Sequence, residues 1–467
     1  MSEELLQVAV VGHTNTGKTS LLRTLSRDTD FGEVCDAPAT TRHVEGTHLL
    51  VDGEPVMALY DTPGLEDAPG ILDWMEARRG LRAPGAETLE AFLESGEAIR
   101  RFEQEGKVLR QLRASHVGLY VIDAREPVLG KYRDELSVLG LCARPLVPVL
   151  NFVAGADTRE AEWREALARL GLHAVIGFDS VVYDLQEELR LYEKLRSLLD
   201  HFRAPLSRLM EARTREARWL EQAAAELVAD MLIDAAACTL VVPVQAVQDG
   251  GALADLQARI RQREQDCAQA LLGLYRFRAG DYAARQLPLE DGRWGLDLFT
   301  PEALGHYGLR TGEGAAVGAA VGLAVDVLAL GTTLGAGTAA GATAGALAGH
   351  TPGLGRRLAQ RLRGRRELRP GDATLRLLAL RGRQLTRALS RRGHGTERAL
   401  ELDTPTDDAW RRGRLPHPLR RARLHPDWSR LTPGAGGLES RARAQALAEL
   451  TAALMDAADA PNAPQSR

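Results

Sequence analysis

The chain has 467 residues, of which 45% are hydrophobic and 26% are charged, as expected for a globular protein of two or three domains. Its formal net charge of −4 excludes a general attraction to nucleic acid or membranes, so any such preference must be local. The amino terminus lacks the pattern of a secretory signal, and no C-x-x-C spacing predicts a disulfide frame or a zinc site among Cys35, Cys142, Cys238 and Cys267.

The first predicted elements are a strand, a glycine loop and a helix. Leu6 to Val11 is an apolar, β-branched run that predicts a buried strand, and Ser20 to Leu25 predicts a helix. The stretch between them reads GHTNTGKT and matches G-x-x-x-x-G-K-[ST], a loop whose backbone N–H groups wrap phosphate oxygens. The predicted nucleotide-binding residues of this loop are Gly12, His13, Thr14, Asn15, Thr16, Gly17, Lys18, Thr19 and Ser20.

Two side chains of this loop have predicted charge and metal roles. Lys18 is expected to neutralise the β- and γ-phosphates, and the Thr19 hydroxyl to ligate Mg²⁺. The chain has only three other lysines, Lys107, Lys131 and Lys194, and otherwise uses arginine. A compact ammonium at position 18 therefore favours a phosphate site over a chance glycine turn. We expect Lys18 to be exposed when the loop is empty.

Two further loops follow the next predicted strands. A polar, threonine-rich segment precedes the strand His48 to Val51, and Thr41, with Thr40 as second choice, is expected to complete the Mg²⁺ shell. The strand Val56 to Tyr60 runs into a D-x-x-G sequence. Asp61 is expected to hold Mg²⁺, and the Gly64 N–H to contact the γ-phosphate.

These motifs in series resemble the Era/TrmE-like branch of the translation-factor-related GTPases. The resemblance implies a Mg²⁺-dependent GTPase in which Lys18, Thr41, Gly64 and Asn15 are catalytic, with Asn15 helping to bind K⁺. Thr14 stands where the family usually has Pro. Like the family, the chain has no Gln after D-x-x-G, since Leu65 occupies that position. Hydrolysis is therefore expected to be slow without K⁺ or an activator.

The rest of this half predicts a doubly wound α/β sheet. A long segment, 66–113, predicts an extended switch region plus helix, which is either a solvated face or a partner-binding surface. Strands follow at Val117 to Asp123, Pro145 to Leu150 and His173 to Phe178. Of the family's N-K-x-D motif, which recognises guanine, this chain retains only the asparagine, Asn151. Its Lys and Asp positions hold Phe152 and Ala154, while Asp157 is displaced and Asp179-Ser180 stands in place of S-A-K.

From residue 203 the pattern predicts a mainly α-helical region that extends to residue 455, before a disordered tail at 456–467. Apolar residues recur at helical spacing over Leu206 to Ala235 and Leu253 to Leu274, which predicts two packed helices. Glycines every fourth residue over 314–349 predict a helical hairpin buried in protein, in an oligomer or in lipid. Its only charge, Asp326, is expected to face the helix partner.

An arginine-rich segment, 356–398, follows the glycine stripes. It predicts a solvated helix face, or a surface for anionic lipid or for an RNA backbone. Together the patterns predict a P-loop NTPase domain at 1–202 and a helical effector domain at 203–455. The favoured interpretation is a GTP-binding, slowly hydrolysing switch protein at or near the cytoplasmic membrane face. A ribosome- or RNA-associated assembly GTPase, and a nucleotide-dependent scaffold with little hydrolysis, are the alternatives.

Overall fold

The computed structural model describes residues 4–27, 44–78, 85–155, 157–277, 289–290, 293–309, 323–325, 365–391, 408–435, 437 and 439–456. Its contacts divide the chain into two compact units. Unit 1 comprises Met1–Arg218 and Arg391–Arg398, and unit 2 comprises Trp219–Ser390 and Ala399–Arg467. The division lies inside a long helix, whereas the sequence placed a boundary after residue 202, and that domain boundary stays a prediction. Thr40 and Thr41 lie outside the described residues.

Unit 1 is built on a six-stranded sheet in the order β2-β3-β1-β4-β5-β6. Only the pair β2 and β3 is antiparallel, so the predicted doubly wound, mostly parallel sheet is confirmed. The sixth strand has two residues instead of the six predicted for it. The strands are β1 (Leu6–Val11), β2 (Glu45–Val51), β3 (Glu54–Asp61), β4 (Val117–Asp123), β5 (Leu146–Asn151) and β6 (Ile176–Gly177).

Helices cover both faces of this sheet. Val8 and Val10 of β1 pack in the layer that contains α1 and α8, whereas Ala9 and Val11 pack in the layer that contains α5 and α6. The alternation follows from the two-residue period of a strand. The helices are α1 (Lys18–Ser26), α2 (Ala68–Arg78), α3 (Gly85–Glu94), α4 (Gly96–Arg101), α5 (Glu103–Ala114), α6 (Gly130–Gly140), α7 (Glu160–Arg169), α8 (Leu185–Leu198) and the start of α9 (Arg203–Ala237).

Unit 2 is mainly helical, as predicted, with a small antiparallel sheet that the sequence analysis missed. The sheet has the order β10-β11-β7, and a two-stranded hairpin pairs β8 with β9. Its elements beyond α9 are β7 (Leu240–Pro243), α10 (Val244–Gln248), α11 (Gly251–Leu274), β8 (Leu289–Glu290), β9 (Arg293–Trp294), α12 (Pro301–His306), β10 (Leu323–Val325), β11 (Arg365–Pro370), α13 (Asp372–Ser390), α14 (Asp408–Arg411), α15 (His417–Ala422) and α16 (Arg441–Asp456).

The strand β10 lies within the segment predicted to be a helical hairpin, 314–349. It pairs with β11 in the register Leu323 to Pro370. The helical prediction is therefore wrong for these three residues, because a stripe of small residues reports side-chain size and not the backbone partner that β11 provides. The rest of the segment, with Asp326, lies outside the described residues. Within the described parts of the chain, no helix is both long and apolar enough to cross a membrane.

The arginine-rich segment contributes side chains to the interior of unit 2, which corrects the prediction of a wholly solvated or polyanion-binding face. Arg376, Arg381 and Arg383 of α13 are buried. Arg376 donates to the carbonyl of Gly413 at 2.6 Å, and Arg381 donates to that of Leu296 at 2.6 Å. Protein carbonyls therefore hold the guanidinium groups of Arg376 and Arg381, and burial keeps all three arginines from forming a surface for lipid or RNA.

A cluster of five charged residues joins four parts of unit 2. Asp234, which is fully buried on α9, lies 2.9 Å from Arg263 Nε, 3.1 Å from Arg430 Nε and 3.4 Å from Arg443 Nη2. Asp230, one turn earlier, pairs with the same three arginines. We call these five residues the Asp–Arg cluster. Every carboxylate oxygen in it has an arginine partner.

The three described cysteines, Cys142, Cys238 and Cys267, are free and buried, as the sequence predicted for reduced thiols. Burial raises the pKa of each thiol to about 12. At neutral pH they are protonated, small apolar side chains.

Candidate functional site: a phosphate loop and its surroundings

The loop between β1 and α1 has a backbone that only glycine tolerates at both ends. Gly12 has a φ of 147°, and a Cβ there would lie 2.4 Å from the carbonyl oxygen of Val121. Gly17 is the N-cap of α1 with a φ of 86°, and a Cβ there would lie 2.3 Å from Asn151 Nδ2. The loop therefore turns tightly against β4 and β5, and the amino terminus of α1 opens onto it.

Lys18 is the first residue of α1, and its ammonium folds back over the loop. It donates to the carbonyl oxygens of His13 at 2.7 Å and Gly12 at 3.3 Å. Only 7% of Lys18 is exposed, so the expectation of an exposed lysine is wrong, because the loop carbonyls curl around it. Burial lowers the pKa of Lys18, against the opposing charges of Asp61, Glu135 and Glu66. A desolvated ammonium near open loop N–H groups is suited to exchange carbonyl contacts for phosphate oxygens.

Thr19 and Asp61 form the second polar pair of the site. The Thr19 hydroxyl donates to Asp61 Oδ2 at 2.5 Å, although the residues are 42 positions apart. Asp61 is 1% exposed, and its Oδ1 has no hydrogen-bond partner among the described residues. Burial raises the pKa of Asp61, and the hydrogen bond from Thr19 and the charge of Lys18 oppose that rise only in part. A hydroxyl and an under-partnered carboxylate fit Mg²⁺, which takes oxygen ligands and keeps places for water and phosphate.

The D-x-x-G segment after β3 lies directly against the loop. The Leu65 N–H donates to the carbonyl of Gly12 at 3.1 Å, and the Thr14 hydroxyl donates to Glu66 Oε1 at 2.8 Å. A Cβ on Gly64 would lie 2.1 Å from Thr14 Oγ1, so the approach requires glycine. The Leu65 side chain is fully buried in the apolar layer with α2 and α5. It has no polar atom that could orient a water molecule.

A histidine links this segment to α6, a contact that the sequence analysis missed. His13 Nδ1 lies 2.8 Å from the Leu65 carbonyl oxygen and 2.8 Å from Glu135 Oε1. Both partners accept hydrogen bonds, so Nδ1 carries the hydrogen in this arrangement. Glu135 is 1% exposed and also accepts from the Tyr120 hydroxyl at 2.7 Å. The sequence predicted His13 as a nucleotide-binding residue but not its contact with Glu135, because nothing local pairs position 13 with position 135.

Asn151 anchors the far side of the loop from the end of β5. Its Nδ2 donates to the carbonyl of Thr16 at 3.0 Å. Its Oδ1 accepts the N–H groups of Phe152 and Ser180, each at 2.9 Å. The amide is fully buried, so it holds three chain segments in fixed register. This contact places the predicted residue Asn151 beside the phosphate loop.

Two family descriptions match separate parts of the chain. Residues 7–152 match a family described as "50S ribosome-binding GTPase". Residues 164–452, which are more than half of the chain, match a family described as "Domain of unknown function (DUF3482)".

The chain belongs to the DUF3482 family.

Its amino-terminal unit is a P-loop GTPase domain, in agreement with the resemblance drawn from the motifs, and the DUF3482 part supplies the helical region.

Curated relatives of this DUF3482 protein include tRNA modification GTPases. The tRNA modification GTPase MnmE of Picosynechococcus sp. is 44% identical over 78 residues, which are 17% of this chain and 16% of the relative. MnmE of Chromobacterium violaceum is 27% identical over 196 residues, 35% of this chain and 43% of the relative. The chain thus spans less than half the length of these curated relatives.

Solved structures with similar folds include Aquifex aeolicus Era bound to GDP and AlF4⁻. That match has 18% identity and a TM-score of 0.29, and it covers 38% of this chain and 52% of Era. A bacterial selenocysteine-specific elongation factor EF-Sec matches at 15% identity with a TM-score of 0.28, covering 42% of this chain and 29% of that structure.

The structure brings most of the predicted site residues of the DUF3482 protein together around one loop. Residues 12–20, Asp61, Gly64 and Asn151 all lie there, and their roles in binding stay predictions. Asn15 is exposed with a φ of 63°, and Thr16 is buried with its hydroxyl bonded to the His13 carbonyl at 3.0 Å. Thr41, the predicted third Mg²⁺ ligand, is outside the described residues.

Proposed function

We propose that the chain binds GTP with Mg²⁺ and hydrolyses it slowly, as a switch whose nucleotide state acts on the helical DUF3482 part. The observation that carries the proposal is the meeting of Lys18, Thr19 and Asp61 at the amino terminus of α1, where Thr19 and Asp61 are 2.5 Å apart. This is the arrangement that phosphoryl transfer needs, because positioning and charge stabilisation supply nearly all of its catalysis.

Each group has a separate task in this proposal. Lys18 neutralises charge on the β- and γ-phosphates, and the loop N–H groups bind their oxygens. Thr19 and Asp61 would hold Mg²⁺, which supplies further charge neutralisation when bound. Gly64, which packs closely against Thr14, would bind the terminal phosphate through its N–H.

Slow hydrolysis follows from what lies near the attacking water. The Leu65 side chain is fully buried and offers no polar atom to orient it. We propose that Asn15 helps to bind a K⁺ ion, whose charge would stabilise the transition state instead. His13, held between the Leu65 carbonyl and Glu135, positions the D-x-x-G backbone.

The proposal leaves two finer predictions open. A location at the cytoplasmic membrane face rests on segment 314–349, nearly all of which is outside the described residues. An RNA partner rests on the arginine-rich segment, where three arginines are interior. We keep both as predictions, and neither carries the proposed function.

Nucleotide binding by Lys18→Ala tests the proposal. We expect its affinity for a fluorescent GTP analogue to fall roughly 100-fold, about 2.7 kcal/mol, because the phosphates lose a desolvated charged donor. Lys194→Ala, at an exposed position of α8, is the matched control and should bind like the parent. Circular dichroism checks that both variants fold. Parent-like binding by folded Lys18→Ala would contradict the proposal.

A further inference from the structure

The nucleoside side of the loop is lined by an aromatic ring where the resembled family has a lysine. Phe152 follows Asn151 and has a φ of 59°, a left-handed conformation that is uncommon outside glycine. Its Cζ would lie 3.1 Å from a Cβ on Gly17. The ring thus packs on the phosphate loop at the amino terminus of α1, and it is partly exposed.

Arg125 covers this ring. Its guanidinium carbon lies 4.1 Å from the centroid of Phe152. Asp123, at the end of β4, fixes the guanidinium by two hydrogen bonds, from Nε to Oδ1 at 2.9 Å and from Nη2 to Oδ2 at 2.5 Å. Asp123 Oδ1 also accepts the backbone N–H of Arg125 at 3.0 Å. Asp123 and Arg125 therefore form a preorganised support that holds the ring in one position.

The aspartate that pairs with guanine in the resembled family is missing from its sequence position, and the buried carboxylate beside that position is occupied by backbone contacts. Ala154 stands at the family's aspartate position. The buried acid beside it is Asp179, whose Oδ2 accepts the Ala154 N–H at 2.9 Å. Its Oδ1 accepts the N–H groups of Val181 at 2.8 Å and Val182 at 3.1 Å. Asp179 is 4% exposed, so its oxygens hold the two loops together and do not face a ligand.

We propose that this site binds the purine base by stacking on Phe152, supported by Arg125, without a carboxylate that pairs with the base N1 and N2 donors. The inference rests on the proposed nucleotide binding and specifies its base selectivity. Stacking accepts every purine because each has a π-face. To discriminate guanine from other purines, the protein needs a polar group that the wrong base leaves unpaired. The ligand class is therefore purine nucleoside triphosphates, with GTP only modestly preferred.

Competition binding with GTP, ITP and ATP on the full chain with Mg²⁺ tests the proposal. ITP lacks the 2-amino group that a carboxylate would accept from. We expect ITP to bind within about threefold of GTP. A bidentate contact from a carboxylate to the base would instead favour GTP by roughly 5- to 150-fold in affinity. A GTP preference over ITP above about tenfold would overturn the proposal. If Asp157→Asn then removed that preference, the exposed Asp157 would be the reader.

Substitutions at the two altered positions sharpen the test. Phe152→Leu should weaken all three nucleotides by a similar factor, roughly 5- to 150-fold for the loss of one stacked base, whereas Phe152→Trp should retain their binding. Ala154→Asp should create a preference for GTP over ITP. Parent-like nucleotide binding by folded Phe152→Leu would overturn the stacking role.

Inorganic tripolyphosphate separates this proposal from the proposed function. Its binding depends on Lys18 and the loop, so Phe152→Leu should leave it unchanged. If the parent binds neither tripolyphosphate nor any nucleotide, the proposed function fails. If the parent binds all of them but Phe152→Leu weakens tripolyphosphate as strongly as GTP, only the stacking inference fails.

Discussion

Two buried charged sites, one in each unit of this chain, are partnered in opposite ways. In unit 1 the buried Lys18 donates to backbone carbonyls, and the buried Asp61 has one carboxylate oxygen without a partner among the described residues. In unit 2 the buried Asp234 meets three arginines. The pKa directions of Asp61 and Asp230 show the same contrast, since burial raises the pKa of Asp61. Burial also opposes ionisation of Asp230, but Arg443, Arg430 and Arg263 outweigh it and lower its pKa.

The number of partners that a buried charge has distinguishes a ligand-binding site from a cluster that stabilises the fold. A buried charge without a full set of partners costs free energy unless a ligand completes it, so it persists where a ligand binds. A buried charge with all its partners holds elements in register. The Asp–Arg cluster joins α9, α11, α16 and the segment around Arg430, and we interpret it as architecture.

The largest expected effect comes from removing the centre of the Asp–Arg cluster. Asp234→Ala should destabilise unit 2 by about 3–5 kcal/mol, because three arginines lose a buried partner. Hydrogen exchange of residues 224–237 should accelerate far more than that of β4 in unit 1. Asp255→Ala removes the exposed pair with Arg259 and is the matched control, with about 0–1 kcal/mol expected. Equal effects of the two variants would contradict the architectural role.

The second prediction concerns the incomplete site in unit 1. Asp61→Asn should reduce GTP hydrolysis roughly 10²–10³-fold, as for other lost charge-stabilising groups. It should also stabilise the nucleotide-free protein. A raised folded-state pKa means that ionised Asp61 opposes folding once the pH exceeds the unfolded value near ~3.9.

Thermal unfolding at pH 7 measures this trade-off. We expect the melting temperature of nucleotide-free Asp61→Asn to rise on the order of 2–4 °C, the shift that about 1 kcal/mol produces in a unit of this size. Mg²⁺ with a non-hydrolysable GTP analogue should stabilise the parent more than the variant. A lower melting temperature for the nucleotide-free variant would show that Asp61, like Asp234, stabilises the folded protein.

The third prediction tests whether an ion completes the site. Hydrolysis by the parent should be faster in K⁺ than in Na⁺ at matched ionic strength, by about tenfold or ~1.4 kcal/mol of barrier. Asn15→Ala should remove the difference, because we propose that the exposed Asn15 contributes to the ion site. Single-turnover rates in the two salts measure it. Equal parent rates would exclude this use of K⁺.

The smallest expected effect is the pH dependence of the Asp–Arg cluster. The lowered folded-state pKa of Asp230 means that its contribution is present above the unfolded value near ~3.9 and is lost as the pH falls through the folded value. Asp230→Asn should therefore be less stable than the parent at pH 7, and the difference in stability should disappear as the pH falls through the folded-state pKa of Asp230. Hydrogen exchange of α9 across an acid pH series measures this. A stability difference between the variant and the parent that does not change with pH would show that the effect comes from packing.

The sequence predicted the parts of the fold that depend on local patterns. The strand β4 has the predicted bounds, and β1 matches too, because apolar, β-branched runs report buried parallel strands directly. The phosphate loop was predictable since its glycines, Lys18 and Thr19 are adjacent in the chain. The small sheet of unit 2 was not, because β7, β10 and β11 are short and far apart in sequence.

The contacts that complete the site were beyond sequence reasoning. His13 meets Glu135 across 122 positions, and Arg125 meets Phe152 through the ends of two neighbouring strands. The sequence showed that the N-K-x-D motif is incomplete, but it did not show that Arg125 lies over the Phe152 ring. The interior arginines of α13 were misread for a related reason, since composition does not tell which face of a helix the fold buries.

The burial of Lys18 makes it a chemical reporter of its own site. Acylating reagents attack the neutral amine, and burial lowers the pKa of Lys18 while the exposed Lys194 stays open to reagent in every state. Bound phosphates would shield the Lys18 amine and favour its protonated form. With only four lysines in the chain, mass spectrometry could follow the modified fraction at each one. The ratio of modification at Lys18 to that at Lys194 would then measure loop occupancy in unlabelled protein, even within a cell lysate.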